Sequence, residues 1–221
     1  MKYFYSHRDS KTWSIFNCYP FFLDCKQTWV LTKIMDNLHL EESTLLDIGA
    51  GEGNFILKMI SFGIKPQNIV AVEYLEARYN KLREKLPNIK SINDDFLNVE
   101  LNNQSDIITL LAVLTSITEN EIRYRILKKA LDSLSSNGML VLYDYFDDSE
   151  KFLSENYRAL SLSKVEELAK YHHVQVHKNV YIKSKYAKAL CKIGLQSLIP
   201  LLESIRIFND TYHFVVITNE K

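Results

Sequence analysis

Residues 44–55 read T-L-L-D-I-G-A-G-E-G-N-F, and they constrain the fold of this chain more than any other stretch. The first half is an apolar, strand-forming run that carries a single acid, Asp47. Three glycines follow at every second position: Gly49, Gly51 and Gly53. Apolar residues then recur at helical spacing: Ile56, Met59 and Ile60. A strand, a glycine turn and a helix open a nucleotide-binding α/β unit, because glycines accept positive φ angles and let a ligand approach the backbone.

The rest of the chain continues this alternation of strands and helices. Further buried strands are predicted over 68–74, 89–92, 106–114 and 139–145. Helices are predicted over 24–40, 75–86 and 119–134. In the last third, a capping-box pattern starts a helix at Ser163, strands are predicted over 174–182 and 211–218, and residues 185–208 form an amphipathic segment. Alternating strands and helices favour a parallel sheet covered on both faces, with a ligand crevice at the carboxyl ends of its strands.

The composition narrows the class of protein. Lys plus Arg and Asp plus Glu each number 27, so no net charge attracts the chain to nucleic acid. No run of about 18 apolar residues predicts a transmembrane helix, and the N-terminus lacks the apolar centre of a secretory signal. The three cysteines lack metal-ligand spacing and are typical of free thiols in a reducing compartment. We therefore expect a cytoplasmic α/β protein without a nucleic-acid partner.

The D-x-G-x-G-x-G form of residues 47–53 resembles motif I of the class I S-adenosylmethionine (SAM) methyltransferases. A dinucleotide-binding fingerprint has its third glycine five residues after the first, where this chain has Asn54. The resemblance implies an α/β fold with a seven-stranded Rossmann-like methyltransferase sheet and helices on both faces. The aromatic-rich first 22 residues are expected to form a packed cap or a lid over the active site.

The expected organisation is a single domain in three segments. An aromatic-rich N-terminal helical cap occupies residues 1–40, and the SAM-binding core occupies 41–150. Residues 151–221 supply a helix, strands and an amphipathic cap that complete the same domain.

Acids at the predicted strand ends extend the resemblance. Glu73 ends the second strand, where a carboxylate can accept both hydroxyls of a ribose. Enzymes that use NAD place an acid similarly, so Glu73 predicts a nucleoside ligand without choosing the cofactor. After the third strand, the family has an acid that accepts the adenine amino group, followed by a residue whose backbone N–H contacts the adenine ring. Asp95 and Phe96 match this pair, and Asp94 is the alternative for the acid. The resemblance thus implies SAM binding by Asp47, Gly49, Gly51, Gly53, Glu73, Tyr74, Asp95, Phe96 and Leu111.

The predicted catalytic residues follow the fifth strand. Methyl transfer from a sulfonium needs alignment and the exclusion of water, and an alcohol or phenol acceptor also needs a base within reach. Asp144, in V-L-Y-D-Y-F, is the first candidate for this base, and the alternatives are His172, His173 and His177. Arg158, in N-Y-R-A-L, is a candidate to hold an anionic group of the acceptor.

The predicted function is SAM-dependent methylation of a small-molecule or glycan acceptor, at oxygen. The V-L-Y-D-Y-F and N-Y-R-A-L segments resemble a bacterial branch often associated with surface-glycan assembly. The D/N/S-P-P-Y/F tetrad of DNA amino-methyltransferases is missing after the fourth strand. The metal-binding carboxylates of catechol-type O-methyltransferases are missing around residues 114–120, so we expect no metal.

Two alternatives stay open. One is a nicotinamide-dependent oxidoreductase, which would use the same fold and Glu73. The other is a SAM-fold protein that binds a partner without turnover, through the apolar face of residues 185–208. We expect this segment to cap the sheet or the substrate pocket, with contact to a membrane surface as the alternative.

Overall fold

A computed structural model of the chain describes residues 18–205 and 209–219. Residues 1–17 of the predicted cap or lid lie outside the described part of the chain, and residues 18–22 are helical.

Nine strands are present in the described chain: Leu45–Ile48 (β1), Ile69–Val72 (β2), Lys90–Ile92 (β3), Ser105–Leu111 (β4), Leu134–Tyr145 (β5), Phe152–Ser154 (β6), Tyr157–Arg158 (β7), His172–Ile182 (β8) and Asn209–Asn219 (β9). Seven of them form one sheet in the order β3-β2-β1-β4-β5-β9-β8, and β6 and β7 form a hairpin that the sequence does not predict. Strands β1 to β5 pair in parallel, so their carboxyl ends share one edge. The predicted fold class, a seven-stranded Rossmann-like methyltransferase sheet, is confirmed.

Helices connect the strands: Cys18–Ile34 (α1), Asn54–Ser61 (α2), Glu76–Lys85 (α3), Asn120–Asp132 (α4), Leu162–Leu168 (α5), Ser184–Lys192 (α6) and Ile199–Glu203 (α7). Helix α1 lies earlier in the chain than the predicted span 24–40. The N-cap of helix α5 is Ser161, two residues before the predicted Ser163. The Ser161 hydroxyl accepts the Lys164 N–H at 3.2 Å.

The main core lies between the sheet and one face of α4. Fully or almost fully buried side chains of β1, β4 and β5 pack there with those of α4: Leu46, Ile108, Leu110, Leu140, Leu142, Ile126, Leu127 and Ala130. Strands buried on both faces have nearly continuous apolar runs, and β1 has one apart from Asp47. Ile122 of α4 is exposed, whereas the neighbouring Arg123 is buried.

Strand β5 begins at Leu134, well before the predicted start at residue 139. Ser105 pairs with Leu134 and Ile107 pairs with Met139, so the sheet register shifts between these two pairs. Residues 137–138 therefore lie at an irregularity inside the strand. A Cβ at Gly138 would lie 2.9 Å from the Ser105 carbonyl oxygen, which explains why glycine stands there.

The chain divides into two compact units. The first contains His39–His177 and the segment from His213 onward, and therefore the glycine loop and the five parallel strands. The second contains Lys178–Tyr212 and the described residues before His39. The division of the chain into three segments at residues 40 and 150 stays a prediction.

The second unit has a small core of its own. Ala187 and Ile199 are buried, and partly buried apolar residues pack against them: Phe22, Tyr186, Leu190, Cys191 and Leu202. The Lys26 ammonium donates to the Glu203 carboxylate at 2.8 Å. Among the described residues of the whole chain, no helix has the length and apolar character that crossing a bilayer requires.

Candidate functional site

The glycine loop begins where β1 ends, and hydrogen bonds tie it to β2. The N–H groups of Gly49 and Ala50 both donate to the Val72 carbonyl, at 2.8 and 3.1 Å. Gly49 has a φ of +73°, and a Cβ there would lie 2.6 Å from Cγ2 of Val113. Glycine is required at this position, because another side chain would be strained and would collide with the loop after β4.

Glu73 links the glycine loop to the end of β2. One carboxylate oxygen accepts the Gly51 N–H at 2.7 Å, and the other accepts the Leu75 N–H at 2.8 Å. Each oxygen has a second lone pair, so this buried carboxylate can still accept two hydroxyl groups. Gly51 has a φ of +60°, and among the described residues the nearest atom to a Cβ built there is Nη1 of Arg78, at 3.9 Å. The space next to Gly51 is therefore open.

Asp47 is buried within β1, beside Thr109 of β4 in the parallel register. The Thr109 hydroxyl donates to the Asp47 carboxylate at 2.6 Å. Burial raises the pKa of Asp47 to about 7; the Thr109 hydrogen bond opposes this rise, and the charge of Glu73 adds to it. Asp47 and Glu73 are thus close enough to interact electrostatically, as the resemblance implies for two acids of one cofactor site.

The acids after β3 form a hydrogen-bonded turn. Asp95 accepts the Leu97 N–H at 2.9 Å, and Asp94 accepts the Asp95 N–H at 2.7 Å. Lys129 of α4 fixes the turn, because its ammonium donates to the carbonyls of Phe96 and Leu97 at 2.8 and 3.0 Å. The Phe96 ring is buried in the core, so Phe96 can reach a ligand only through its backbone.

The remaining residues of the predicted cofactor set lie at the same edge. Tyr74 follows Glu73, and its side chain is 53% exposed. Leu111 is the last residue of β4 and is half-buried. Gly53 is the N-cap of α2, and a Cβ there would lie 2.6 Å from Cδ1 of Leu82. Gly53 therefore allows α2 and α3 to pack closely, whereas Tyr74 is accessible from solvent.

Asp144 lies near the carboxyl end of β5 at this edge, but it is almost completely buried. Its carboxylate accepts the Leu114 N–H at 3.1 Å and the Thr115 hydroxyl. Burial raises the pKa of Asp144 to about 7, although these hydrogen bonds lower it. Leu114 and Thr115 belong to the turn that follows β4, so Asp144 holds that turn in place. In this structure the Asp144 carboxylate is engaged with that turn, and its role as a general base stays a prediction.

The other two predicted catalytic residues have different surroundings. Nε of Arg158 donates to the Glu150 carbonyl at 2.9 Å, and Nη1 donates to the Thr118 carbonyl at 3.1 Å. These bonds connect the β6–β7 hairpin with the loop after β4, and the contact of Arg158 with an anionic acceptor group stays a prediction. His173 is exposed near the start of β8. In the described part of the chain, no hydrogen bond connects His173 with the acids at the strand ends.

A buried ionic cluster centred on Glu150 is absent from the sequence-based predictions. Arg123 of α4 is fully buried and donates to the Glu150 carboxylate and, at 2.8 Å, to the Ala159 carbonyl. The same carboxylate accepts the Tyr124 hydroxyl at 2.6 Å and the Lys164 ammonium. Burial alone would raise the pKa of Glu150, but the hydrogen bonds from these three donors lower it to about 2. The only signal in the sequence is a charged residue, Arg123, among the apolar positions of α4.

Comparison with known proteins identifies solved structures that are similar to this chain. No protein-family model matches the sequence, and no curated protein matches it. Among solved structures, N-methyltransferase NodS from Bradyrhizobium japonicum, in complex with S-adenosyl-L-homocysteine (SAH), is 12% identical with a TM-score of 0.64, over 89% of this chain and 86% of NodS. Magnesium protoporphyrin IX methyltransferase (ChlM) from Synechocystis, with bound SAM, is 10% identical with a TM-score of 0.59, over 90% of this chain and 78% of ChlM. The 1,6-didemethyltoxoflavin-N1-methyltransferase from Burkholderia thailandensis, with bound 1,6-didemethyltoxoflavin and SAH, is 13% identical with a TM-score of 0.61, over 88% and 76% of the two chains.

This chain has the fold of the class I SAM-dependent methyltransferases. The methyltransferase fold agrees with the strand order, because β9 lies between β5 and β8. A dinucleotide-binding sheet has the order 3-2-1-4-5-6 and no strand inserted at that place. At sequence identities of 10–13%, the similarity shows the fold alone. The roles of individual residues are therefore argued from the contacts described above.

Proposed function

We propose that this chain is a SAM-dependent methyltransferase that acts on a small-molecule acceptor. The observation that carries the proposal is the Glu73 carboxylate, which accepts the N–H groups of Gly51 and Leu75 beside the open space at Gly51. A carboxylate fixed by two backbone donors can accept both hydroxyls of a ribose without moving. Asp95 and the Phe96 N–H suit the adenine, and among the described residues that N–H has no acceptor.

The charge of the site favours SAM over a nicotinamide dinucleotide. Glu73 and Asp95 place two carboxylates along one edge of the sheet, beside the buried carboxyl group of Asp47, whose pKa is about 7. SAM has positive charges on its sulfur and its amino group, whereas a dinucleotide has a pyrophosphate that these acids would repel. When bound, SAM supplies a methyl group that is already activated by the positive sulfur. The residues of this chain then have to orient the cofactor, hold the acceptor in line with it and exclude water.

The kind of acceptor depends on whether a base reaches it. An alcohol needs its proton removed during methyl transfer. Asp144, the predicted base, is buried against Leu114 and Thr115. We therefore propose an acceptor whose nucleophilic atom has no proton to lose at neutral pH, such as a carboxylate oxygen. Methylation then takes place at oxygen, as the sequence predicts, and a glycan acceptor would be one that carries a carboxylate.

Calorimetric titration with SAH tests this proposal, because SAH keeps the ribose and the adenine of SAM. We expect the wild-type chain to bind SAH and Glu73→Ala to bind it about 10- to 100-fold more weakly, since two charge-assisted hydrogen bonds are lost. The matched control is Glu84→Ala, which removes an exposed acid from α3 and should change the affinity by no more than about twofold.

Two results would redirect the proposal. A wild-type chain that binds NADH but shows no heat with millimolar SAH would support the oxidoreductase alternative. A chain that binds SAH and transfers no methyl group to any acceptor would support the SAM-fold binding protein.

A further inference from the structure

Residues 178–202 have a charge unlike that of the chain as a whole. The segment contains five lysines and no aspartate or glutamate, whereas the whole chain has 27 basic and 27 acidic residues. The next acid, Glu203, accepts a hydrogen bond from Lys26 at 2.8 Å, so a lysine of the same unit offsets its charge. The segment is therefore a local concentration of positive charge in a neutral protein.

Helix α6 carries three of these lysines on one face. Lys185, Lys188 and Lys192 are spaced by three and four residues, so they share one side of the helix, and all three are exposed. The packed side of α6 carries Ala187 and Leu190, which belong to the small core of the second unit. The lysine face is thus turned away from that core.

The turns that follow α6 expose much apolar surface. Five large apolar side chains are at least 40% exposed there: Ile193, Leu195, Leu198, Leu201 and Ile205. Ile199 alone among the large apolar residues of these turns is buried, and it belongs to the small core of the unit. Single exposed leucines are ordinary in soluble proteins, but five large apolar side chains exposed within residues 193–205, here called the apolar patch, point to an interaction surface.

We propose that residues 183–205 bind the surface of a membrane rich in anionic lipids. The apolar side chains would enter the boundary between headgroups and acyl chains, and the lysines would contact lipid phosphates. The presence of both lysines and exposed apolar side chains favours an anionic membrane surface over a nucleic acid or an apolar protein surface. A nucleic acid would match the lysines and leave the apolar patch in water, while an apolar protein surface would leave the lysines unmatched. The proposal does not depend on SAM binding.

Co-sedimentation of the full chain with unilamellar vesicles tests the proposal. One vesicle set contains phosphatidylcholine alone, and the other also contains a quarter of phosphatidylglycerol. We expect at least tenfold tighter binding to the anionic vesicles, and a loss of this preference at high salt. The triple variant Lys185→Gln, Lys188→Gln and Lys192→Gln should bind anionic vesicles on the order of a hundredfold more weakly. Leu198→Ser with Leu201→Ser should weaken binding to them by about tenfold or more.

A matched control removes the same charge from the other unit. Lys65→Gln, Lys90→Gln and Lys128→Gln replace three exposed lysines and should change vesicle binding by no more than about threefold. Circular dichroism and gel filtration of every variant establish that the fold and the oligomeric state are unchanged.

Three outcomes would overturn the proposal. The first is a wild-type chain that binds neither vesicle set at millimolar lipid. The second is an equal loss of binding in the control triple variant, which would show that binding depends on the net charge of the protein and not on the lysines of α6. The third is a dimer that Leu198→Ser with Leu201→Ser converts to monomers without any vesicle binding, because the apolar patch would then be a contact between two copies of the chain.

Discussion

Asp144→Asn should leave the turn after β4 intact, because the amide keeps the shape of the carboxylate. The amide oxygen can accept the Leu114 N–H, and the amide nitrogen can donate to the Thr115 hydroxyl oxygen. Asp144→Ala removes both contacts and leaves two buried polar groups unsatisfied, which should lower the free energy of unfolding by roughly 2–5 kcal/mol. The two variants therefore differ clearly in stability if Asp144 holds the turn.

The asparagine variant also has a pH signature. The pKa of Asp144 is about 7 in the folded chain, above its ordinary value of 3.8, so the folded state binds a proton more tightly than the unfolded state. Wild-type stability then falls as the pH rises from about 4 to about 7, because the buried carboxyl group has to ionise. Asparagine does not titrate. The stability of Asp144→Asn relative to wild type should therefore increase by roughly 2–4 kcal/mol between about pH 4 and about pH 8.

Urea unfolding of wild type and both variants, followed by circular dichroism at low and high pH, measures these differences. Methyl transfer to an identified acceptor adds a second readout: Asp144→Asn should stay within about tenfold of wild-type turnover, whereas loss of a general base would lower turnover by roughly 10²–10⁴. A variant with no pH-dependent gain in stability and a turnover reduced to that extent would refute the positioning role. Asp144 would then be the base.

Three further predictions concern the glycine loop and the ionic cluster. Gly49→Ala should lower the free energy of unfolding by roughly 2–4 kcal/mol, because its Cβ would collide with Val113. Gly51→Ala should lower it by only about 1–2 kcal/mol, and its main effect should be weaker SAH binding in calorimetry. Equal losses of stability in the two variants would contradict the described packing. Glu150→Gln should cost roughly 3–5 kcal/mol in urea unfolding, because it leaves Arg123 buried without a counter-charge, and a loss near zero would contradict this. The pKa of Glu150 is about 2 in the folded chain, below its ordinary value of 4.5. The ionised carboxylate therefore contributes roughly 2 kcal/mol to the free energy of unfolding above about pH 4.5, and this contribution should disappear as the pH falls toward 2. The acid unfolding of Glu150→Gln should lack this pH-dependent loss.

The parts of the fold that the sequence predicts depend on short-range patterns. The glycine loop is recognisable because positive φ angles at Gly49, Gly51 and Gly53 demand glycine locally. The position of Glu73 follows from the end of an apolar run, which marks where a parallel strand meets the ligand edge. The strand order beyond β5 follows from the resemblance to a known family, since no local pattern determines which strands become neighbours.

The parts that the sequence does not predict depend on contacts between distant segments. An acid at the end of β5 can face a ligand or a neighbouring loop, and only the turn at Leu114 and Thr115 decides that Asp144 faces the loop. Arg123 lies on the apolar face of α4, but its partner Glu150, from the loop after β5, meets it only in the folded chain. Side-chain partners that meet only in the folded chain leave no periodic signal in the sequence.

A crystal structure of the chain with SAH bound tests the central claim most directly. We predict that the ribose lies in the open space at Gly51, with both hydroxyl oxygens about 2.5–3.0 Å from the Glu73 carboxylate. The adenine amino group should donate to Asp95. SAH bound at another place, or a ribose whose hydroxyls meet no carboxylate, would contradict the assignment of this edge of the sheet as the cofactor site.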